Sequence, residues 1–130
     1  MKRTVLLTIA LLVLFVAAPG FAGEATQIWK CELDDDTTEA QVNEMASAWL
    51  KAAKGMEGGE NLQAWVYFPV AVNMTGDTDL MFVIVAPSFE EWGKFWDGYE
   101  GSPAAKVDQL HQDIGVVCPD SAVWESMKVK

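Results

Sequence analysis

The stretch LMFVIVA, Leu80–Ala86, is seven apolar residues with no polar position among them. It is too short for a helix to bury itself and has the length and β-branched content of a strand. A strand on a sheet with one wet face alternates apolar and polar residues, whereas a strand apolar on both sides is covered on both sides. Leu80, Phe82 and Ile84 face one way and Met81, Val83 and Val85 the other. Any fold for this chain must therefore supply two covering layers for one short strand.

The neighbouring segments supply the first layer. Ala25–Leu33, ATQIWKCEL, alternates, with Trp29, Cys31 and Leu33 on one side and Ile28, Lys30 and Glu32 on the other. After Asp34-Asp35-Asp36, the apolar residues Val42, Met45, Ala46, Trp49, Leu50 and Ala53 recur at helical spacing. Thr38 with Gln41, or Asp36 with Glu39, can cap that helix, and Gly55 can close it. The three aspartates suit a helix N-terminus, where negative charge is favourable. Leu62–Val72, LQAWVYFPVAV, reads as a strand that Pro69 confines to an edge or a bulge. Asn73–Asp79 has hairpin-loop composition and no calcium-loop signature. Ser88, with Glu91 as its box partner, opens a second helix that Gly101-Ser102-Pro103 breaks before an apolar side of Val107, Leu110, His111 and Ile114. Ala122–Val129 is expected to be the last strand, with Val123, Met127 and Val129 on one face and Trp124 on the other.

The order is β-α-β-β-α-β, which predicts an α+β, ferredoxin-like sandwich. A four-stranded antiparallel sheet would carry the helices on one face, the second helix being broken near Gly101–Pro103.

The N-terminus predicts the compartment. Lys2 and Arg3 precede an apolar run, Thr4–Ala18, and Pro19-Gly20-Phe21-Ala22 offers a cleavage site. This is the pattern of a secretory signal peptide over residues 1–22, with a single domain over residues 23–130. The run is shorter than the ~20 residues a membrane span requires, so no membrane attachment is expected after cleavage. Loss of Lys2 and Arg3 leaves seven lysines, no arginine and 19 acidic residues. That balance makes nucleic acid and anionic membranes poor partners. A periplasmic or secreted location also gives the two cysteines, Cys31 and Cys118, an oxidising environment, where an even count reads as one disulfide. In the predicted topology the first and last strands are antiparallel neighbours, which brings Cys31 and Cys118 together. No metal site is expected, because a metal would require more ligands at closer spacing.

SFEEWGKFWDGYEGSP, residues Ser88–Pro103, holds five aromatic rings in eleven positions. On a helical wheel Phe89, Trp92, Phe95, Trp96 and Tyr99 fall in one arc of about 120°. Trp92 stands at its centre and is expected in the core. Phe95 on one edge, and Phe89 or Trp96 on the other, are expected to line a cleft or meet a partner, with His111 reaching the same cleft. The candidate pocket residues are therefore Phe89, Phe95, Trp96, Tyr99 and His111.

The same segment, following a both-sides-apolar strand, resembles the dimeric α/β-barrel superfamily. Ser88, Trp92, Phe95 and Ser102-Pro103 stand where its antibiotic-biosynthesis-monooxygenase-like and NIPSNAP-like domains place Ser, Trp, Phe and a Ser-Pro break. The resemblance implies a homodimer whose sheets face each other, which would provide the second cover for Leu80–Ala86, and a pocket between sheet and helices in each subunit. Members include cofactor-free monooxygenases, haem-degrading oxygenases and domains without demonstrated chemistry, and His111 lies in the region where haem-handling relatives place a histidine. No Asn-Trp-His pattern is present to transfer. Since no nucleophile, base and orienting group can be assembled from the sequence, the expected function is an exported binding or structural module for a small apolar or ring-bearing molecule, with no cofactor. The alternative is a cofactor-independent monooxygenase-like or haem-handling enzyme using the same pocket.

Overall fold

A computed structural model describes residues 23–71 and 78–130. The expected signal peptide and most of the expected hairpin loop, residues 72–77, lie outside the described residues. The elements are β1 (Glu24–Leu33), α1 (Glu39–Ala53), β2 (Gln63–Tyr67), β3 (Leu80–Ala86), α2 (Phe89–Asp97), α3 (Pro103–Asp113) and β4 (Val116–Ser126). The strands form one antiparallel sheet in the order β2-β3-β1-β4. This is the ferredoxin-like α+β arrangement, with its second helical region divided in two.

Helix ends follow local chemistry. Thr38 caps α1 in a reciprocal box: the Gln41 backbone donates to Thr38 Oγ1 at 3.3 Å, and Thr38 N donates to Gln41 Oε1 at 2.9 Å. Ser88 Oγ accepts from Glu91 N at 3.1 Å to start α2. The Glu91 carboxylate accepts from Ser88 Oγ and from Asn61 Nδ2. Ser102 caps α3 through Ala105 N, with Pro103 at its first position, where a missing N–H costs nothing. Gly115, at φ 83°, turns the chain from α3 into β4, and its carbonyl accepts from Asp34 N at 2.9 Å.

The two sheet faces differ. Ala25, Gln27, Trp29 and Cys31 of β1 pair with Ala86, Ile84, Phe82 and Leu80 of β3 on the face beneath the helices. Gln27, buried on that face, accepts from Trp92 Nε1 at 2.9 Å, which ties α2 to the sheet. The opposite face carries Thr26, Ile28, Met81, Val83 and Val85 on the inner strands. Trp65 and Tyr67 of β2 and Trp124 of β4 flank them, 41, 50 and 59% exposed.

Two strands have different limits from those expected. β2 ends at Tyr67 rather than continuing through Pro69 to Val72, and Val70 is almost fully exposed. This agrees with β2 being an edge strand that cannot carry Pro69 in its ladder. The last strand is not Ala122–Val129. It starts at Val116 and ends at Ser126, leaving Met127 and Val129 exposed beyond it. Pro119 lies inside this strand, where the β1–β4 register shifts between Lys30 and Glu32. Cys118 and Pro119 together oppose Cys31 there. A proline is tolerated at such a bulge because the extra residue makes no ladder bond. Cys118 thus lies inside β4, and its disulfide to Cys31 joins neighbouring strands with a Cα–Cα distance of 4.0 Å. No helix among the described residues is long and apolar enough to cross a membrane.

Candidate functional site: a ring-walled cavity between two core clusters

The interior has two buried clusters. The larger gathers Trp49 and Ala53 of α1, Leu62, Ile84 and Ala86 from the sheet side, Phe95 of α2 and Ala104 of α3. The smaller gathers Cys31, Val42, Leu80 and Val116. Between them lies a cavity of about 260 Å³, and all four residues of the smaller cluster line it. The Cys31–Cys118 bridge forms part of the wall.

The apolar wall is mostly aromatic. Trp29 and Phe82 rise from adjacent strands with ring centroids 5.6 Å apart, and Trp49 of α1 meets Phe82 edge-on at 5.3 Å. Trp96 of α2 closes the circuit at 6.0 Å from Trp29 and 4.5 Å from Tyr99. Offset and edge-to-face pairs of this kind hold each other's orientation, so the wall is assembled from mutually supported rings rather than from independent side chains.

The polar wall comes from the segment after α2 and from α3. Trp49 Nε1 donates to Tyr99 Oη at 3.0 Å, and Asp108 lies on the same wall. Burial pushes the Tyr99 phenol well above its ordinary range, and its proton stays in place at any physiological pH. Asp108 and His111 are three residues apart on α3, so both project from one side of the helix. His111 Nδ1 lies 3.9 Å from Asp108 Oδ1. Burial lowers the His111 pKa, against opposing contributions from a hydrogen bond to the Met45 backbone and from the Asp108 charge. The imidazole is therefore neutral at neutral pH. Gln112 completes this wall.

Two polar atoms stand out. Among the described residues, Trp96 Nε1 and His111 Nε2 are the buried side-chain nitrogens or oxygens that have no hydrogen-bond partner. Both residues line the cavity.

Of the five residues singled out in the sequence, Trp96, Tyr99 and His111 meet at this cavity, and Phe89 and Phe95 do not. Phe95 is fully buried between Trp49, Trp96 and Tyr99, whereas Trp92 is only half-buried, the reverse of the roles the wheel assigned. The turn after α1 lies directly against the Phe95 side of α2. Gly58, at φ 77°, lets the turn after α1 press on the backbone of α2: a Cβ there would come within 2.4 Å of Glu91 O and 2.7 Å of Phe95 N. The Phe95 edge of the arc is thereby pushed deepest. Phe89 packs on Trp92 with centroids 6.4 Å apart. Sequence reasoning missed Trp29, Trp49 and Phe82 as wall residues, because each sits in its own element's apolar register and carries no local sign of facing a void. Asp108 was also missed. Its spacing from His111 was the available signal.

No family model and no curated protein matches the chain. Its structure is similar to solved ones. A crystal structure of a protein from Arabidopsis thaliana superposes with a TM-score of 0.57 at 9% identity, covering 83% of this chain and 98% of that one. The hydroxynitrile lyase from Passiflora edulis superposes at 0.51 with 11% identity, covering 84% and 96%. A dimeric ferredoxin-like protein of unknown function from Thermobifida fusca is also similar, at 0.48 with 15% identity, covering 82% and 92%. At such identities the likeness is one of fold, and with the strand order it makes the chain a ferredoxin-like α+β protein.

Proposed function

We propose that the protein is an exported, homodimeric binding module that holds a small ring-bearing molecule in the cavity between sheet and helices. The observation that carries this reading is the cavity itself. Protein interiors are packed to crystal-like density and hold few voids larger than a water molecule. A cavity of about 260 Å³ walled by five large rings forgoes contacts that a packed core would make. An apolar cavity of ~150 Å³ accepts benzene, so this one suits a molecule of one or two fused rings. It lies below the ~300–1,000 Å³ of sites for drug-sized ligands.

Dimerisation is supported by the sheet face away from the helices, where Trp65, Tyr67 and Trp124 expose large apolar area beside Ile28, Met81 and Val85. A second copy packed on this face would complete the two-sided cover that Leu80–Ala86 requires. Export is supported by the signal-like residues 1–22 and by the disulfide. Sedimentation at micromolar concentration is expected to give twice the chain mass, and N-terminal sequencing of exported protein to begin at Gly23.

The binding reading is tested by extracting the protein purified from its own host and analysing the extract by mass spectrometry, alongside tryptophan fluorescence of the stripped protein titrated with one- and two-ring compounds. A retained ring compound, with saturable quenching on its return, is the expected result. An empty protein whose fluorescence responds to none of them would end the proposal.

One observation favours an enzyme as the second reading. A neutral imidazole, a carboxylate and a protonated phenol share one wall, which is equipment for general acid–base work. Consumption of a bound compound, abolished in His111→Ala at unchanged melting temperature, would favour it over simple binding.

A further inference from the structure

We infer that the cavity's ligand is an uncharged ring compound bearing at least one hydroxyl group, which accepts a hydrogen bond from Trp96 Nε1–H and donates one to His111 Nε2. This rests on the binding reading above and specifies its chemistry.

The argument starts from the two unpaired atoms. A buried polar group without a partner is costly, and nearly all such groups in folded proteins are satisfied. Elsewhere the buried tryptophan N–H groups of this cluster do have partners: Trp49 donates to Tyr99 and Trp92 to Gln27. Trp96 Nε1 breaks the pattern, and it does so at the cavity wall. An indole nitrogen only donates, so its missing partner is an acceptor.

His111 supplies the complement. Its Nε2 is buried without a partner, whereas its Nδ1 faces the Asp108 carboxylate at 3.9 Å. The negative charge on that side favours the single proton of the neutral ring on Nδ1, which leaves a lone pair on Nε2. Its missing partner is a donor. A hydroxyl is the smallest group that both accepts and donates.

Charge excludes the other candidates. No lysine or arginine lines the cavity, and the half-exposed Asp108 carboxylate does, so a carboxylate or phosphate ligand would sit beside like charge with no counterion. A cation would gain from Asp108 and from the ring faces, but it would leave the Trp96 N–H without an acceptor and facing positive charge.

The test uses the disulfide-intact protein, tryptophan quenching at neutral pH, and four probes of one size: 2-naphthol, naphthalene, 2-naphthoate and 2-naphthylmethylammonium. The naphthol is expected to bind about tenfold more tightly than the hydrocarbon, in line with one to two buried hydrogen bonds, and more tightly than either ion. Trp96→Phe keeps the ring and removes the donor. It is expected to shrink the naphthol preference and, because it deletes an unpaired buried donor, to raise the melting temperature of the free protein. His111→Leu is expected to shrink the preference as well. Equal binding of naphthol and naphthalene overturns this inference and leaves the binding reading standing, as does tighter binding of either ion. A lower melting temperature for Trp96→Phe with the preference intact also overturns it, since the nitrogen would then be structural. Failure of all four probes to bind overturns the binding reading and this inference together.

Discussion

The two core clusters are built from the same sheet and the same first helix, yet one is solid and the other hollow. Around Phe95, neighbouring rings lie 5.1–5.8 Å away on three sides, and Ala53, Ala86 and Ala104 let the elements approach closely. Around Cys31, Val42, Leu80 and Val116 the side chains are smaller, and the gap between them and the larger cluster stays open. There the disulfide performs part of what packing performs in the other half. It ties β4 to β1 where β4 runs as an exposed edge, with nearly every residue from Val117 to Glu125 on the surface. The lesson is that a cross-link can hold a strand in place without filling the space beside it, which leaves that space for something else.

The sharpest way to break the comparison is to remove what holds each half. Phe95→Ala in the solid half is expected to cost roughly 3–5 kcal/mol. Replacing Cys31 and Cys118 with serine is expected to cost about 2–5 kcal/mol, since the bridge spans 87 residues of sequence. Both are read from denaturant midpoints at constant slope. A loss under 1 kcal/mol for Phe95→Ala would mean that the solid half is not solid.

Overpacking sharpens the contrast. Ala53→Leu, in the solid half with no exposed surface, is expected to destabilise by ~1–3 kcal/mol. Ala46→Leu points the added atoms into the cavity and is expected to be neutral or to stabilise by ~0.5–2 kcal/mol, the usual gain from filling a void. It should also block quenching by ring compounds. Equal losses from both variants would refute the hollow.

A smaller effect separates the polar wall from the rest. Tyr99→Phe leaves Trp49 Nε1 without its acceptor and is expected to cost ~1–3 kcal/mol. The smallest effect is with pH. The folded-state pKa of His111 lies below its ordinary 6.5 because of burial. The unfolded chain therefore takes up the proton first as pH falls, and the associated stability, complete above 6.5, drains away until pH passes the folded-state pKa. Melting between pH 7.5 and 5 is expected to show a shallower decline in His111→Leu than in the parent, with the acidic groups common to both providing the background.

Much of the architecture was legible because it follows from period and punctuation. LMFVIVA became β3 with its predicted limits, Thr38–Gln41 became the α1 cap, and the break at Gly101–Pro103 separated α2 from α3. The pairing of Cys31 with Cys118 followed from the strand order. The errors fell where one element's geometry depends on another. β4 begins six residues before the expected Ala122, because a sequence does not show which residue Pro119 will face, and the strand passes through Pro119 where a bulge lies opposite Cys31. The wheel centred on Trp92 because it treats a helix as rolling on a flat surface, whereas α2 is pressed by the turn at Gly58 and packs on Trp49.

The sequence by itself determined the element order, the strand topology that order permits, the cross-link and the ring-rich face of α2, since each rests on local period, capping chemistry or topological rules. Tertiary structure alone decided which rings pack and which enclose space. That outcome depends on distances between side chains brought by β1, α1, β3, α2, α3 and β4 from positions between 29 and 118. The unpaired state of Trp96 Nε1 and His111 Nε2 belongs to the same class, because a donor or acceptor is orphaned only when every neighbour is in place.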